Sequence, residues 1–106
     1  MIEINNKQEL VDILASNENV LIDFHATWCG PCKMMMPVLN DLAKEHTNVK
    51  FCKVNVEDNA ELTVDYGITS IPHVFIMKSG TNVHNFKGAL PKNKLMDVLN
   101  THFPKS

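Results

Sequence analysis

The sequence has little that would tie it to a membrane, a nucleic acid or an extracellular disulfide framework. None of its apolar runs approaches the roughly 20 residues that a bilayer-spanning helix needs. Its first residues, Met1-Ile2-Glu3-Ile4-Asn5, lack the basic segment and long apolar core of a secretory signal. Basic residues are not in excess: 10 Lys and Arg stand against 12 Asp and Glu, for a formal charge of -2, which speaks against a nucleic-acid binder. Cysteine is scarce, and three is an odd number that fits poorly with a stapled secreted domain. A reducing compartment, the cytosol, is therefore expected. There is no Gly-x-Gly-x-x-Gly fingerprint, so the chain should hold neither nicotinamide nor flavin itself. Repeats, linkers and low-complexity stretches are also missing.

What is present suits one globular unit over residues 1–106. A chain of this length can bury roughly 60–70% of its unfolded surface, so it needs no staple. Its 44% hydrophobic and 21% charged residues are ordinary for such a globule. Ile2-Glu3-Ile4 alternates like a short strand. Asn5 or Asn6 can cap a helix over about 7–16, with Leu10, Ile13 and Leu14 on one face. Val20 to Ala26 is nearly continuous and apolar, as in a strand buried on both sides. A second helix starts near Pro31 and runs to about His46, with Pro37 expected to kink it. Val49 to Val56 reads as a strand and Asn59 to Tyr66 as a short helix stopped by Gly67. His73–Lys78 and Thr81–Lys87 flank a Ser79-Gly80 turn, a hairpin signal. Pro91 opens a last helix carrying Leu95, Val98 and Leu99, with Phe103 one turn beyond. The order β-α-β-α-β-α-β-β-α predicts an α/β fold, a mixed central sheet covered on both faces.

The chemistry concentrates in Trp28-Cys29-Gly30-Pro31-Cys32-Lys33. Two cysteines three apart, between an apolar strand and a helix, can close a small reversible disulfide. Cys29 should precede the helix and Cys32 lie in its first turn. Free N–H groups and the positive end of the helix dipole would favour a thiolate at Cys29. Cys32, further inside, would resolve a mixed disulfide. A four-residue loop gains only about 2 kcal/mol from closure, so the reduced form can compete. The other reading of Cys-x-x-Cys is half a zinc site. It needs two more ligands and no second Cys-x-x-Cys exists, though His25 and His73 could in principle approach the pair.

The chain resembles the thioredoxin family nearly end to end. The resemblance rests on Ile22-Asp23-Phe24 before Ala26-Thr27-Trp28-Cys29-Gly30-Pro31-Cys32-Lys33-Met34, on Lys53-Val54-Asn55-Val56, and on Tyr66-Gly67-Ile68 leading to Ile71-Pro72. Lys78-Ser79-Gly80 and Lys87-Gly88-Ala89 complete it. It implies the thioredoxin fold, a mixed sheet flanked by four helices, and reduction of protein disulfides with Cys29 as nucleophile. Asp23, beneath the dithiol, would move a proton to or from Cys32, tuned by Lys53; the alternative is a paired structural carboxylate. Gly30 leaves room for a partner chain and Pro31 stiffens the turn. Oxidases and isomerases of this fold usually carry His before the second cysteine, so Gly-Pro points to the reductive members. Pro72 is either a tolerated strand-start proline or, as the resemblance implies, a cis residue facing the dithiol that leaves Ile71 open to substrate. Trp28 would be a half-buried aromatic forming a wall beside Cys29. Gly67, Gly88 and Ala89, with Ile71, would complete a shallow groove. The resemblance further implies a thioredoxin reductase drawing on NADPH as partner, disulfide-containing proteins such as peroxiredoxins as substrates, no bound cofactor or metal, and a monomer.

Three residues depart from the common pattern. His25 stands where an aromatic or small residue is frequent, and packing in the strand is its simpler reading. His73 follows the proline where Thr is usual; near the groove it would make binding pH-dependent. Cys52, inside a strand, reads as a small apolar filler rather than a regulatory thiol. His46, His84 and His102 read as surface residues. Met34-Met35-Met36 reads as helix packing plus an exposed face rather than a copper site.

Overall fold

In the computed structural model, which describes residues Met1–Lys105, the chain runs β1 (Ile2–Glu3), α1 (Lys7–Ser16), β2 (Asn19–His25), α2 (Gly30–Glu45), β3 (Lys50–Asn55), α3 (Ala60–Asp65), β4 (His73–Lys78), β5 (Thr81–Lys87) and α4 (Lys92–His102). This is the order predicted from the sequence, with ends shifted by a residue or so.

Local chemistry sets those ends. Asn6, not Asn5, caps α1: its side-chain oxygen accepts from the Glu9 N–H at 3.0 Å. Such a cap contributes about 1 kcal/mol. Pro31 sits in the first turn of α2, where a missing N–H costs nothing. Pro37 lies further along and deprives the Lys33 carbonyl of its usual donor, yet the helix continues to Glu45. The end of α2 corrects one expectation, because His46 is buried rather than on the surface. Its backbone N–H and its ring Nδ1 both donate to the Leu42 carbonyl, at 2.8 and 3.1 Å. The imidazole closes the helix end that water would otherwise solvate. At the β4–β5 turn, Ser79 and Gly80 both have positive φ, 49° and 79°. A two-residue hairpin needs that conformation to match the strand twist.

The sheet order is β1-β3-β2-β4-β5. β2 is central, parallel to β3 and antiparallel to β4. Side chains along β2 alternate between two cores. Leu21 joins Met35, Leu39, Leu95, Leu99 and Phe103 beneath α2 and α4. Val20, Ile22 and Phe24 join Leu10, Leu62 and Phe75 beneath α1 and α3. With helices on both faces, β2 is buried almost throughout, which is why its sequence is apolar without alternation. The same alternation turns Asp23 and His25 toward α2.

Candidate active site

The end of β2 delivers the dithiol. After His25 the chain leaves the sheet through Ala26–Trp28, and Cys29 becomes the N-cap of α2. Cys29 and Cys32 form a disulfide, with Cα atoms 5.3 Å apart. The Cys32 N–H donates to Cys29 Sγ at 3.3 Å, and the Lys33 N–H donates to the Cys29 carbonyl at 3.1 Å. On reduction, a thiolate at Cys29 meets that N–H and the positive end of a 16-residue helix. The two sulfur residues are unequal, Cys29 being 5% exposed and Cys32 1%. Cys29 offers the larger edge to an incoming partner, and that asymmetry fits one attacking and one resolving thiol. Gly30 and Pro31 are both exposed at the tip. No atom outside the chain neighbours lies within 4 Å of a Cβ built on Gly30, so the space beside the disulfide is open.

Asp23, two residues before the end of β2, is fully buried, and neither carboxylate oxygen has a hydrogen-bond partner. Burial drives its pKa up from 3.8 to about 7, with the Lys53 charge pulling it back. Lys53 stands opposite Asp23 in the parallel β2–β3 register. Among the described residues the only ion pair within 4 Å is Lys7–Asp65 on the surface, so Lys53 acts on Asp23 through its field and not by contact. A carboxyl with a pKa near neutrality can both take and return a proton at working pH.

A shallow cleft of about 190 Å³ opens on the other side of the dithiol, lined by Trp28, Val56, Thr63, Ile68, Thr69, Ser70 and Ile71. Trp28 is 66% exposed, a projecting wall rather than the half-buried aromatic expected. Ile71 packs on the small cluster of Ala26, Cys29 and Cys32. The Ile71–Pro72 bond is cis. The Gly88 N–H donates to the Pro72 carbonyl at 2.8 Å, which brings Gly88 and the exposed Ala89 to the same rim. Gly67 does not line the cleft. It follows α3 with φ +63°, a helix-stopping conformation, and donates to the Val64 carbonyl. Val56, Thr63 and the Ile68–Ser70 loop were missed in the sequence, since their apolar or small character carried no signal until the loop folded over the dithiol. The Met34-Met35-Met36 run divides as expected between packing and an exposed face, with Met35 buried and Met34 77% exposed on α2.

The remaining candidates fall elsewhere. His73 is buried, its Nε2 pairs with Asn85 Oδ1 at 3.0 Å, and its ring stacks on Phe75 at 4.3 Å. It faces the α1/α3 core with Phe24, Tyr66 and Phe75 and does not line the cleft. Cys52 is buried and free, and desolvation pushes its thiol up to about 11. His84 and His102 are partly buried, not simply surface residues, and their rings stack at 4.8 Å between β5 and α4. Among the described residues no three His, Cys, Asp or Glu side chains converge as a metal site. No helix among them is long and apolar enough to cross a membrane.

Comparison with known proteins agrees with this geometry. The family model described as Thioredoxin matches residues 1–101. The thioredoxin of Pyropia yezoensis is 42% identical over 97 residues, 91% of this chain and 88% of that one. The solved structure of Plasmodium falciparum thioredoxin superposes with a TM-score of 0.91 at 32% identity, covering 96% of this chain and 99% of the other. A chain from a structural study of thiol resolution in yeast mitochondrial 1-Cys peroxiredoxin via the glutathione/thioredoxin systems superposes at 0.87, with 29% identity over 95% and 94% of the two chains. With its strand-to-helix dithiol, buried carboxyl and five-stranded mixed sheet, this chain belongs to the thioredoxin family and is a dithiol–disulfide oxidoreductase that reduces protein disulfides.

Proposed function

We propose that residues 1–106 act as one thioredoxin domain, a monomeric cytoplasmic reductase that contributes to redox homeostasis by passing electrons from NADPH, through a separate thioredoxin reductase, to disulfide-containing proteins. Peroxiredoxins are among the expected substrates, a class named in the study of the yeast neighbour described above. The observation that carries the reading is the unequal burial of two cysteines at the start of one helix, with a buried, partnerless carboxyl on the strand that leads into it.

In this mechanism the Cys29 thiolate attacks one sulfur of the substrate disulfide. The substrate S–S bond breaks, and the first substrate thiolate leaves and takes a proton from water. Cys32 then gives its proton to the Asp23 carboxylate and attacks Cys29 Sγ. The bond from Cys29 to the substrate breaks, the second thiolate departs, and two electrons have moved to the substrate. Lys53 holds the Asp23 pKa down far enough for the carboxylate to be present near neutral pH. Trp28, Ile71, Pro72, Gly88 and Ala89 form the walls around Cys29. The Ile71 backbone makes no hydrogen bond to another backbone group among the described residues, so it is free to pair with an extended substrate strand. Gly30 and Pro31 keep the approach open and the turn stiff, Gly67 sets the entry to the Ile68–Ile71 loop, and His73 starts the strand behind Pro72.

Turnover of a protein disulfide by NADPH and a thioredoxin reductase, together with the reduction potential of the Cys29–Cys32 pair, tests the proposal. A potential below about -230 mV with sustained turnover supports a reductase. A potential tens of millivolts into the oxidising range, without turnover, assigns the chain to oxidation or isomerisation instead.

A further inference from the structure

The cleft under the first turn of α2 holds a group that the mechanism has not used. It measures about 220 Å³ and is lined by His25, Ala26, Thr27, Cys32, Lys33 and Met36. It lies on the side of the dithiol away from Trp28 and Ile71, and of the two cysteines only Cys32 lines it. Apart from Cys32, its titratable lining residues are His25 from β2 and Lys33 from α2, and of these only His25 is buried. That imidazole is 8% exposed, and its Nε2 is sealed from solvent with no hydrogen-bond partner. A buried ring nitrogen without a partner costs about 1–3 kcal/mol, so a purely packing role is served better by Phe or Tyr.

His25 is also the next residue on the face of β2 that carries Asp23. Two residues on one strand face are about 6.5 Å apart, close enough for side chains to exchange a proton directly or through one water. Asp23 is closed to solvent, so a proton it accepts from Cys32 must leave before the next cycle. The charged and titratable groups around His25 are Asp23 on its own strand, Lys53 on β3, Glu3 on β1, and Cys32 and Lys33 on α2. Burial and Lys53 lower the His25 pKa and Glu3 raises it, with the lowering dominant, which leaves the ring neutral and able to accept.

We infer that His25 is a positioning residue for the resolving step, its imidazole carrying the proton that Cys32 gives to Asp23 out to water at the cleft. This rests on the proposed role of Asp23. The transfers balance: the Cys32 proton passes to the Asp23 carboxylate as the Cys29–Cys32 bond forms and the substrate thiolate leaves. Asp23 then passes it to the partnerless Nε2 of the neutral imidazole and regains its charge, and the imidazolium releases the proton on its other nitrogen, Nδ1, to water at the cleft.

The test is single-turnover reduction of a protein disulfide by the pre-reduced chain between pH 5.5 and 8.5, followed through the fluorescence of Trp28, the only tryptophan. Reduced wild type, His25→Phe, His25→Ala, Asp23→Asn and the double variant Asp23→Asn/His25→Phe are compared, with folding checked by thermal melts. His25→Phe is expected to slow resolution at least about fivefold near neutral pH and to change its pH profile. Alkylation of Cys29, which reports the first attack, should change less than about twofold in the same variant. The double variant should be no slower than Asp23→Asn alone, as for two groups in series. Free imidazole should restore His25→Ala, whereas pyrrole, of similar shape but without a basic nitrogen, should not. A folded His25→Phe with the wild-type resolving rate and pH profile, beside a slow Asp23→Asn, overturns the inference, as does equal rescue by pyrrole. A wild-type rate in Asp23→Asn instead overturns the role of Asp23, and with it the route through His25.

Discussion

Asp23 and Lys53 stand opposite one another on parallel neighbours β2 and β3, yet no ion pair joins them. Both carboxylate oxygens of Asp23 remain without a partner inside the fold. A structural carboxylate at this depth would be neutralised by contact. Here desolvation is left largely uncompensated, and the pKa near 7 follows from that.

The same imbalance makes stability depend on pH. Between about pH 4 and 7 the native state keeps a proton on Asp23 that the unfolded chain has released, so stability falls as pH rises through this window and levels off above it. Asp23→Asn removes the penalty. It should leave stability unchanged below pH 4 and raise it by ~4 kcal/mol at most above pH 7. Denaturant titrations at pH 4, 7 and 9 measure this. A gain equal at all three values would show that packing, not ionisation, is responsible.

The two cysteines should separate cleanly by substitution. Cys32→Ser should accumulate a mixed disulfide between Cys29 and the substrate, because the resolving thiol is gone. Cys29→Ser should abolish reduction without any trapped adduct. Mass spectrometry after mixing with an oxidised substrate distinguishes the two, and an adduct on Cys32 in the Cys29→Ser variant would reverse the assignment.

Cys52 should stay silent in the folded protein. It has no exposed surface, and its thiol is pushed up to about 11. After reduction, iodoacetamide at pH 8 should modify Cys29 in the native state and reach Cys52 only after unfolding. Peptide mapping reads the outcome directly, and rapid native labelling of Cys52 would contradict its burial.

Leu99 has no exposed surface and lies between Leu95 and Phe103 in the core under α2 and α4. Leu99→Ala should destabilise the fold by about 2–5 kcal/mol through lost burial and a residual cavity. Urea unfolding checks the magnitude. Activity measured well below the new melting temperature should stay near wild type, since α4 does not line either cleft beside the dithiol.

Short-range rules determined much of this protein within the sequence itself. A strand buried on both faces must be apolar throughout, so β2 was legible. An Asn before a helical pattern, a Pro in a first turn, and Ser-Gly between alternating runs are local solutions to backbone hydrogen bonding and φ, and they fixed the ends of α1, α2 and the β4–β5 turn. The dithiol was legible for the same reason, because its spacing at a helix start carries its chemistry with it. The resemblance to a known family placed Asp23 beneath that dithiol, and Pro72 opposite it.

Tertiary structure decided what depends on distant neighbours. His46 lies at a helix end, normally a wet place, but folding buried it and set its ring against the Leu42 carbonyl. His73 was assigned to the groove by its position after Pro72, yet strand alternation turned its side chain into the core under α1 and α3, onto Phe75 and away from the cleft lining. Gly67 ends a helix instead of lining the cleft, and Val56 and Thr63 line it from places where the sequence carries no chemical signal. The free Nε2 of His25 became visible only when α2 closed a second cleft over β2. Burial and the partners of a polar group are set by chain segments far away in sequence, and no local pattern encodes them.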